Sequence, residues 1–544
     1  MTTKTDTFMR SAGLIAALTL VSRLLGLVRD CACAAVFGAG VTWDAFAFAF
    51  RVPNLFRRLF GEGALSAAFV PAFTEYLELR GTEEASRLAG RVAGALAAAL
   101  VMLLVAGEVL VLGLLWGLTL SLRWRLALAL TAVMLPYMVL VCLAALAGAA
   151  LQAMRHFAAP AAAPILLNLV WIAAVAAAAP AVSSDARGRI FVVAAGILVA
   201  GVLQLALQLA VLQRKGFRWH LSLHVLHPEV RRVAGAMIPV ALGMAAFQVN
   251  VLLDSLIAIA LAGPEEGAAF HVMGRTVAYP MQAGANSVLY YASRLMQMPL
   301  GVFGIAVATA VFPALSSHAA RRDWEAFSDA VARSVGSMIF IGLPAGVGLM
   351  LLRRPIIEVI FERGAFTPAM TARTASTLLA YSTAVWAYCV LNVLTRAFYS
   401  LNRQGTAAKV AACMVAANLA LNLLLVWPLA EAGLAAATAM TAVVQTGVLW
   451  WLLSHQAPLS GAGRRLLATL AKTALATAAM ALGCWVGLKA APDPAGGLGG
   501  KLLRLLLPSA TGGLAFLAAS AALGIEELRA LLRQLPARGR AKRA

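Results

Sequence analysis

A chain of 544 residues with 62% hydrophobic and only 12% charged side chains, at mean hydropathy +0.85, is too apolar for a soluble multidomain protein and reads as a polytopic membrane protein. Its formal net charge of +21 divides between loops, where Lys and Arg set orientation, and apolar runs, where they demand a polar interior. No Walker A loop is present, and the six cysteines have neither zinc-site nor disulfide-framework spacing, which excludes nucleotide-driven transport by this chain and a disulfide scaffold.

The apolar runs give about 14 transmembrane helices in an all-α fold. The first follows Lys4 and Arg10, has no small-residue cleavage site, and is interrupted by Arg23 and Arg29, so it reads as an uncleaved helix. Those two arginines stand six residues apart, about 120° around a helix, and line one wide face. The second segment opens with Asp44 and continues through Arg51, Arg57, Arg58 and Glu62, with Pro53, Gly61 and Gly63 able to break it. The loop after the sixth segment, Gln213 to Arg232, is rich in basic residues and carries His220, His224 and His227. No acidic or Cys ligand accompanies the histidines, so the loop reads as a linker touching anionic headgroups. A long connection, Ala262 to Ser287, follows the seventh segment as an additional hairpin, and Arg294 lies in the eighth. Alternate loops, counted with the N-terminus, hold roughly twice the Lys/Arg of the others, which places both termini in the cytoplasm.

An internal repeat organises these segments. Pro71 and Pro313, Glu83 and Glu325, and Arg91 and Arg333 are each 242 positions apart, and Leu151 pairs with Leu401 as Asn168 does with Asn418 at 250. Two six-helix lobes related by pseudo-two-fold symmetry follow, 1–220 (segments one to six) and 221–460 (seven to twelve). Beyond the repeat come two C-terminal helices in 461–528 and a basic tail, 529–544, ending ARGRAKRA. Parallel repeats of this kind are a transporter architecture, with the substrate between the lobes.

An arginine at mid-bilayer costs about 2.5 to 3.5 kcal/mol, so several together require water, an acid or an anionic ligand. Six arginines, Arg23, Arg29, Arg51, Arg57, Arg58 and Arg294, face Asp44 and Glu62 as nearby carboxylates. Snorkelling and internal ion pairing explain any one of them. For the set, a phosphorylated or pyrophosphorylated lipid is the natural ligand, because guanidinium suits bidentate phosphate recognition. A membrane enzyme on polyprenyl phosphates would need a catalytic constellation that Asp44 and Glu62 do not supply. A drug or cation antiporter would favour acids in its cavity.

The blocks SRLLGLVRD, FGAG, TWDAF, RVPNLFRRLFGEGALSAAFVPAF and YYASRLMQMPLGVFGIAVATAVFPAL resemble the MurJ (MviN) family of lipid II flippases, in the multidrug/oligosaccharidyl-lipid/polysaccharide exporter superfamily. The resemblance implies a transporter rather than an enzyme. It would reside in the bacterial inner membrane and move undecaprenyl-pyrophosphate-linked peptidoglycan precursor to the outer leaflet by alternating access, for cell wall synthesis. It further implies Arg23, Arg29, Arg57, Arg58 and Arg294 as substrate-binding cations, Asp44 and Glu62 as functional acids, and a lipid-tail groove on the last two helices. The family often has acids where this chain has Ser293 and Gln297, so Arg294 lacks a local carboxylate. A flippase for another polyprenyl-pyrophosphate-linked oligosaccharide, or a transport-dead scaffold of the cell-wall machinery, remain the alternatives.

The expected substrate partner is lipid II, with cell-wall synthases as protein partners, no nucleic acid, and a monomeric state. No cofactor is expected. The driving force is the membrane potential or sodium, the latter through Asp254, Asn418, Asn422 and Thr438, which offer the oxygen ligands sodium takes. The competing reading of these four is polar residues joining helices.

Overall fold

The computed structural model describes residues 2–217, 222, 227–264, 268–272, 274–456, 462–492 and 497–529. In chain order, α1 (Thr2–Phe37) is one unbroken helix. The second rod runs α2 (Val41–Phe56), a π-helical turn (Arg57–Ala64) and α3 (Leu65–Leu79). α4 (Gly81–Gly117) is followed by the broken pair α5 (Leu122–Met134) and α6 (Tyr137–Ala153). Next come α7 (Ala158–Ala173), a π-helical turn (Ala174–Ala178) and α8 (Ala179–Val182), then α9 (Ala186–Arg214) and α10 (Pro228–Ala260). A β-hairpin, β1 (Ala269–Val272) against β2 (Arg275–Ala278), precedes α11 (Ala285–Pro299), a π-helical turn (Leu300–Gly304) and α12 (Ile305–Ala320). α13 (Trp324–Ile360), α14 (Pro368–Ser382), α15 (Val385–Ser400), α16 (Gln404–Gln456), α17 (Ala462–Ala490) and α18 (Gly497–Ala522) complete the chain. α16 is two helices joined at Ala430, whose φ of 51° and ψ of −135° are non-helical. Among the described residues eight helices are long and apolar enough to cross a membrane, or nine with α14 and α15 as one bent span.

The repeat is visible in the backbone. α4 and α13, which carry Glu83 and Glu325 in their first turns, are both 37 residues long. The π-helical turns at Arg57–Ala64 and Leu300–Gly304 interrupt equivalent rods at nearly the same 242-residue offset. Expected breakage at Pro53, Gly61 and Gly63 is therefore corrected: the second rod widens by π-helical hydrogen bonding without losing its helical course. Glycine lacks the Cβ that would crowd such a turn, and π-turns of this sort recur at functional sites.

Contacts divide the chain into two compact units, Met1–Ser287 with Arg363–Thr367, and Val288–Glu362 with Pro368–Ala544. This boundary differs from the repeat boundary near 220, because α10 packs on α2, α3, α4 and the Arg57–Ala64 turn. In the first unit the aromatic residues of α2 lock onto α7: Trp43 stacks on Phe46 at 4.9 Å, and Trp171 meets Phe46 at 5.4 Å and Phe50 at 5.0 Å. Edge and stacked pairs of this kind add roughly 0.5 to 1.5 kcal/mol beyond area burial. In the second unit α13, α15 and α16 share a core that includes Phe327, Met338, Val393 and Leu449. A Cβ on Gly342 would sit 2.7 Å from the Trp386 Cα, so glycine there permits the close crossing of α13 and α15. α17 and α18 pack on each other and on α13. α4 keeps Met102, Val109, Leu110 and Trp116 exposed, a face suited to lipid.

Candidate functional site

Arginines expected to act alike occupy different environments. Arg23 is exposed and makes no hydrogen bond or ion pair among the described residues. Arg29, one and two-thirds turns later, is buried. Its Nη2 lies 2.7 Å and its Nε 3.0 Å from Asp30 Oδ1, its Nη1 donates to Asn168 Oδ1 at 3.0 Å, and its guanidinium stacks over Trp171 at 4.3 Å. The same Asn168 donates to the Ser22 carbonyl. The expectation of one shared face for Arg23 and Arg29 is thus corrected. Asp30 is the carboxylate the charge count omitted, and its position next to Arg29 in LVRD was the available signal.

Asp44 is fully buried. Its carboxylate accepts from the Gly284 N–H at 2.7 Å, the Ser287 N–H at 2.7 Å and the Ser287 hydroxyl at 2.6 Å. The Asn286 amide returns a bond to the Asp44 carbonyl at 2.9 Å and accepts one from Ser255 at 2.7 Å. A charged acceptor therefore caps the first turn of α11 from a distant helix, the arrangement that helix N-termini favour. α11 starts there because Asp44 supplies the cap its own sequence, AGANS, provides only through neutral groups.

The second rod carries three arginines in the first unit. Arg51 Nη1 donates to the Val251 carbonyl at 3.3 Å, Arg57 Nε to Asn54 Oδ1 at 2.8 Å, and Arg58 Nη1 reaches Gln248 Oε1 at 3.5 Å. All three are half-buried, and the 3.5 Å contact is at the limit of a hydrogen bond. Two of these bonds end on α10. The backbone of Glu62 continues the π-helical turn, and its side chain lies outside the described residues. Arg294 belongs to the second unit, where it donates to the Tyr290 hydroxyl at 3.1 Å and lies 4.9 Å from that ring. Ser293 turns back to the Tyr290 carbonyl at 2.9 Å, and Gln297 is exposed.

The four residues expected to hold sodium are divided between the two units. Asp254 is buried in the first unit. In the second, Asn418 donates toward Thr438 at 3.3 Å and Thr441 at 3.4 Å, and Asn422 donates to Asn418 at 2.8 Å. Neutral groups bonding across the two halves of α16 make the helix-joining arrangement. Among the described residues no three His, Cys, Asp or Glu side chains form a metal-binding group. His220 and His224 lie outside the described residues, while His227 accepts the Glu229 N–H at the start of α10.

The hairpin expected between Ala262 and Ser287 is present, with Ala269 opposite Ala278 and Val272 opposite Arg275. Phe270 and Tyr279 pack at 4.8 Å, and buried Arg123 bonds the Ala262 carbonyl. Arg123 and Arg396 of α15 are further cations that sequence reading did not single out.

A family model described as lipid II flippase MurJ matches residues 33–506. The chain belongs to the lipid II flippase MurJ family. A Vibrio cholerae protein named probable lipid II flippase MurJ is 32% identical over 461 residues, 81% of this chain and 82% of the relative. A Rhizobium tropici protein of the same name is 33% identical over 435 residues, 78% and 76% of the two chains. Among solved structures, a lipid II flippase MurJ in an inward closed conformation aligns at TM-score 0.73 and 22% identity, covering 96% of this chain and all of its own. An inward-facing multidrug resistance MATE family transporter of the MOP superfamily aligns at TM-score 0.63 and 14% identity, covering 83% and 99%. Both structures share the all-α polytopic fold. Membership in the MurJ family makes the chain a multi-pass membrane transporter rather than an enzyme.

Proposed function

We propose that this protein is a lipid II flippase of the bacterial inner membrane, with both termini cytoplasmic, carrying the undecaprenyl-pyrophosphate-linked precursor to the outer leaflet by alternating access. The observation that carries the reading is the set Arg51, Arg57 and Arg58 on the second rod, with Arg57 and Arg58 opening its π-helical turn. A pyrophosphate offers planar guanidinium groups the bidentate oxygens they bind best. Arg23 and Arg294 are the further substrate-binding cations of this proposal. The two compact units, with α10 in the first, are the moving bodies in place of the repeat halves 1–220 and 221–460, and 461–528 receives the lipid tail. Arg29, engaged with Asp30 and Asn168, holds α1 to α7.

Binding alone drives nothing, since a ligand held equally in two states shifts no equilibrium. The proposed cycle closes the lobes on the neutralised substrate and returns the empty, cationic carrier under the membrane potential, which supplies about 2.3 kcal/mol per charge per 100 mV. No step is routed through sodium. Replacing sodium by potassium is therefore expected to leave export unchanged while collapse of the potential slows it. Export that tracks sodium at constant potential would reverse that assignment.

The deciding experiment measures outer-leaflet lipid II in a bacterium depleted of its own flippase. The intact chain is expected to restore exposure, and the Arg57→Ala/Arg58→Ala variant to insert normally and restore less than a tenth of it. A chain that inserts and restores nothing sinks the reading in favour of a flippase for another polyprenyl-pyrophosphate-linked oligosaccharide or a transport-dead scaffold of the cell-wall machinery.

A further inference from the structure

α15 is packed by α12, α13, α16 and the Leu300–Gly304 turn. Its core side is apolar: Val390, Val393, Leu394, Ala397 and Phe398 are buried. Tyr388, Leu391, Asn392, Thr395, Arg396 and Tyr399 are half-buried. Their spacing of three and four residues places them on a single stripe, and five of the six carry polar groups. Tyr388, Leu391 and Tyr399 of this stripe pack with their apolar parts against the core of the unit, whereas Asn392, Thr395 and Arg396 would be costly if turned to lipid without partners.

Most of the stripe is already satisfied. The Tyr388 hydroxyl donates to the Thr438 carbonyl at 3.1 Å, the Asn392 amide to the Tyr388 carbonyl at 2.9 Å, and Thr395 to the Leu391 carbonyl at 2.8 Å. Arg396 differs. Its guanidinium lies 5.6 Å from the Phe312 ring and 6.0 Å from the Tyr399 ring, and it makes no hydrogen bond or ion pair among the described residues. Two rings hold a planar five-donor group in place while leaving its N–H edge uncommitted, which is the geometry for reading an oxyanion.

We propose that this face of α15 is a second anion-reading subsite, in which Arg396 binds an oxyanion of the transported lipid-linked substrate and Asn392 and Thr395 line its approach. The proposal rests on the flippase reading above. A bilayer phosphate is the other source of the same chemistry, since Arg396 stands four residues before the end of α15. The substrate is favoured because the polar stripe continues from Arg396 back to Tyr388, about 12 Å along the helix, farther than a headgroup at the helix end requires.

The test uses the full chain in nanodiscs of neutral phosphatidylcholine and measures binding of lipid II and of undecaprenyl pyrophosphate, with and without added phosphatidylglycerol. Arg396→Gln is expected to weaken lipid II binding roughly tenfold in the neutral bilayer. Arg396→Lys, which keeps the charge but not the planar fork, should lose less and controls for folding. Equal loss for undecaprenyl pyrophosphate assigns the oxyanion to the pyrophosphate, and loss for lipid II alone assigns it to a carboxylate of the peptide. Unchanged lipid II binding in Arg396→Gln and in Asn392→Ala/Arg396→Gln overturns the proposal, as does an effect that appears only with phosphatidylglycerol. If the unaltered chain binds no lipid II, the flippase reading fails instead.

Discussion

At the scale of single residues, Arg23 and Arg29 show how little a charge's identity says about its role. A buried ion pair adds modest net stability, but removing one partner strands the other at a cost of about 3 to 5 kcal/mol. Arg29→Ala is therefore expected to lower the melting temperature strongly, and the further change Asp30→Ala to recover part of the loss. Arg23→Ala should leave the melt within a few degrees yet reduce export. A melt insensitive to Arg29→Ala would remove the structural role given to it. The arginines of RVPNLFRRLFGEGALS were legible because charge in an apolar run is conspicuous. Their partners were not, since Gln248 and Val251 are about 190 to 200 positions away, and a sequence pattern carries no record of which neutral side chain or carbonyl a guanidinium will find.

At the scale of elements, the loop between α13 and α14 ties α18 to its unit through Glu362, which accepts from Lys501 at 2.9 Å and Thr371 at 2.7 Å. Burial alone would push this carboxyl up, but the bonds from Lys501 and Thr371, with the charges of Lys501 and Arg354, outweigh it and hold it below the usual carboxylate range. A lowered value in the folded state means the contribution is complete above the unfolded value of about 4.3 and fades as pH falls through the folded one. Glu362→Gln is expected to lower the melting temperature by a few degrees at pH 7, with the gap to the unaltered chain closing below about pH 4. A gap constant with pH would refute the pairing as its cause. A second element-scale expectation concerns Ala430, whose positive φ strains an alanine by about 1 kcal/mol. Ala430→Gly should be tolerated and Ala430→Val should lower the melt. The separation of α16 into two spans was readable from its length and Pro428. The π-helical widening after Pro53 was not, because proline and glycine mark a departure from α-geometry without specifying its form.

For the whole molecule, hydropathy and the 242-residue repeat made the polytopic helical fold legible, since burying backbone in lipid leaves few alternatives. Which helices pack together was less accessible. α10 opens the second repeat yet packs in the first unit, because lipid-facing and helix-facing apolar surfaces look alike in sequence. The repeat also brings two of its own equivalent positions face to face, for Asp44 and Asn286 are 242 residues apart and hydrogen-bonded. A chain made by doubling a shorter ancestor would have begun with the same residue on both sides of that contact. Two aspartates buried there would repel one another in a low dielectric, so this position cannot remain a duplicate once one copy carries the capping charge. Restoring the duplicate with Asn286→Asp should lower the melting temperature by several degrees, more than Asn286→Ser does, and an unchanged melt would show that the two halves were free to stay alike.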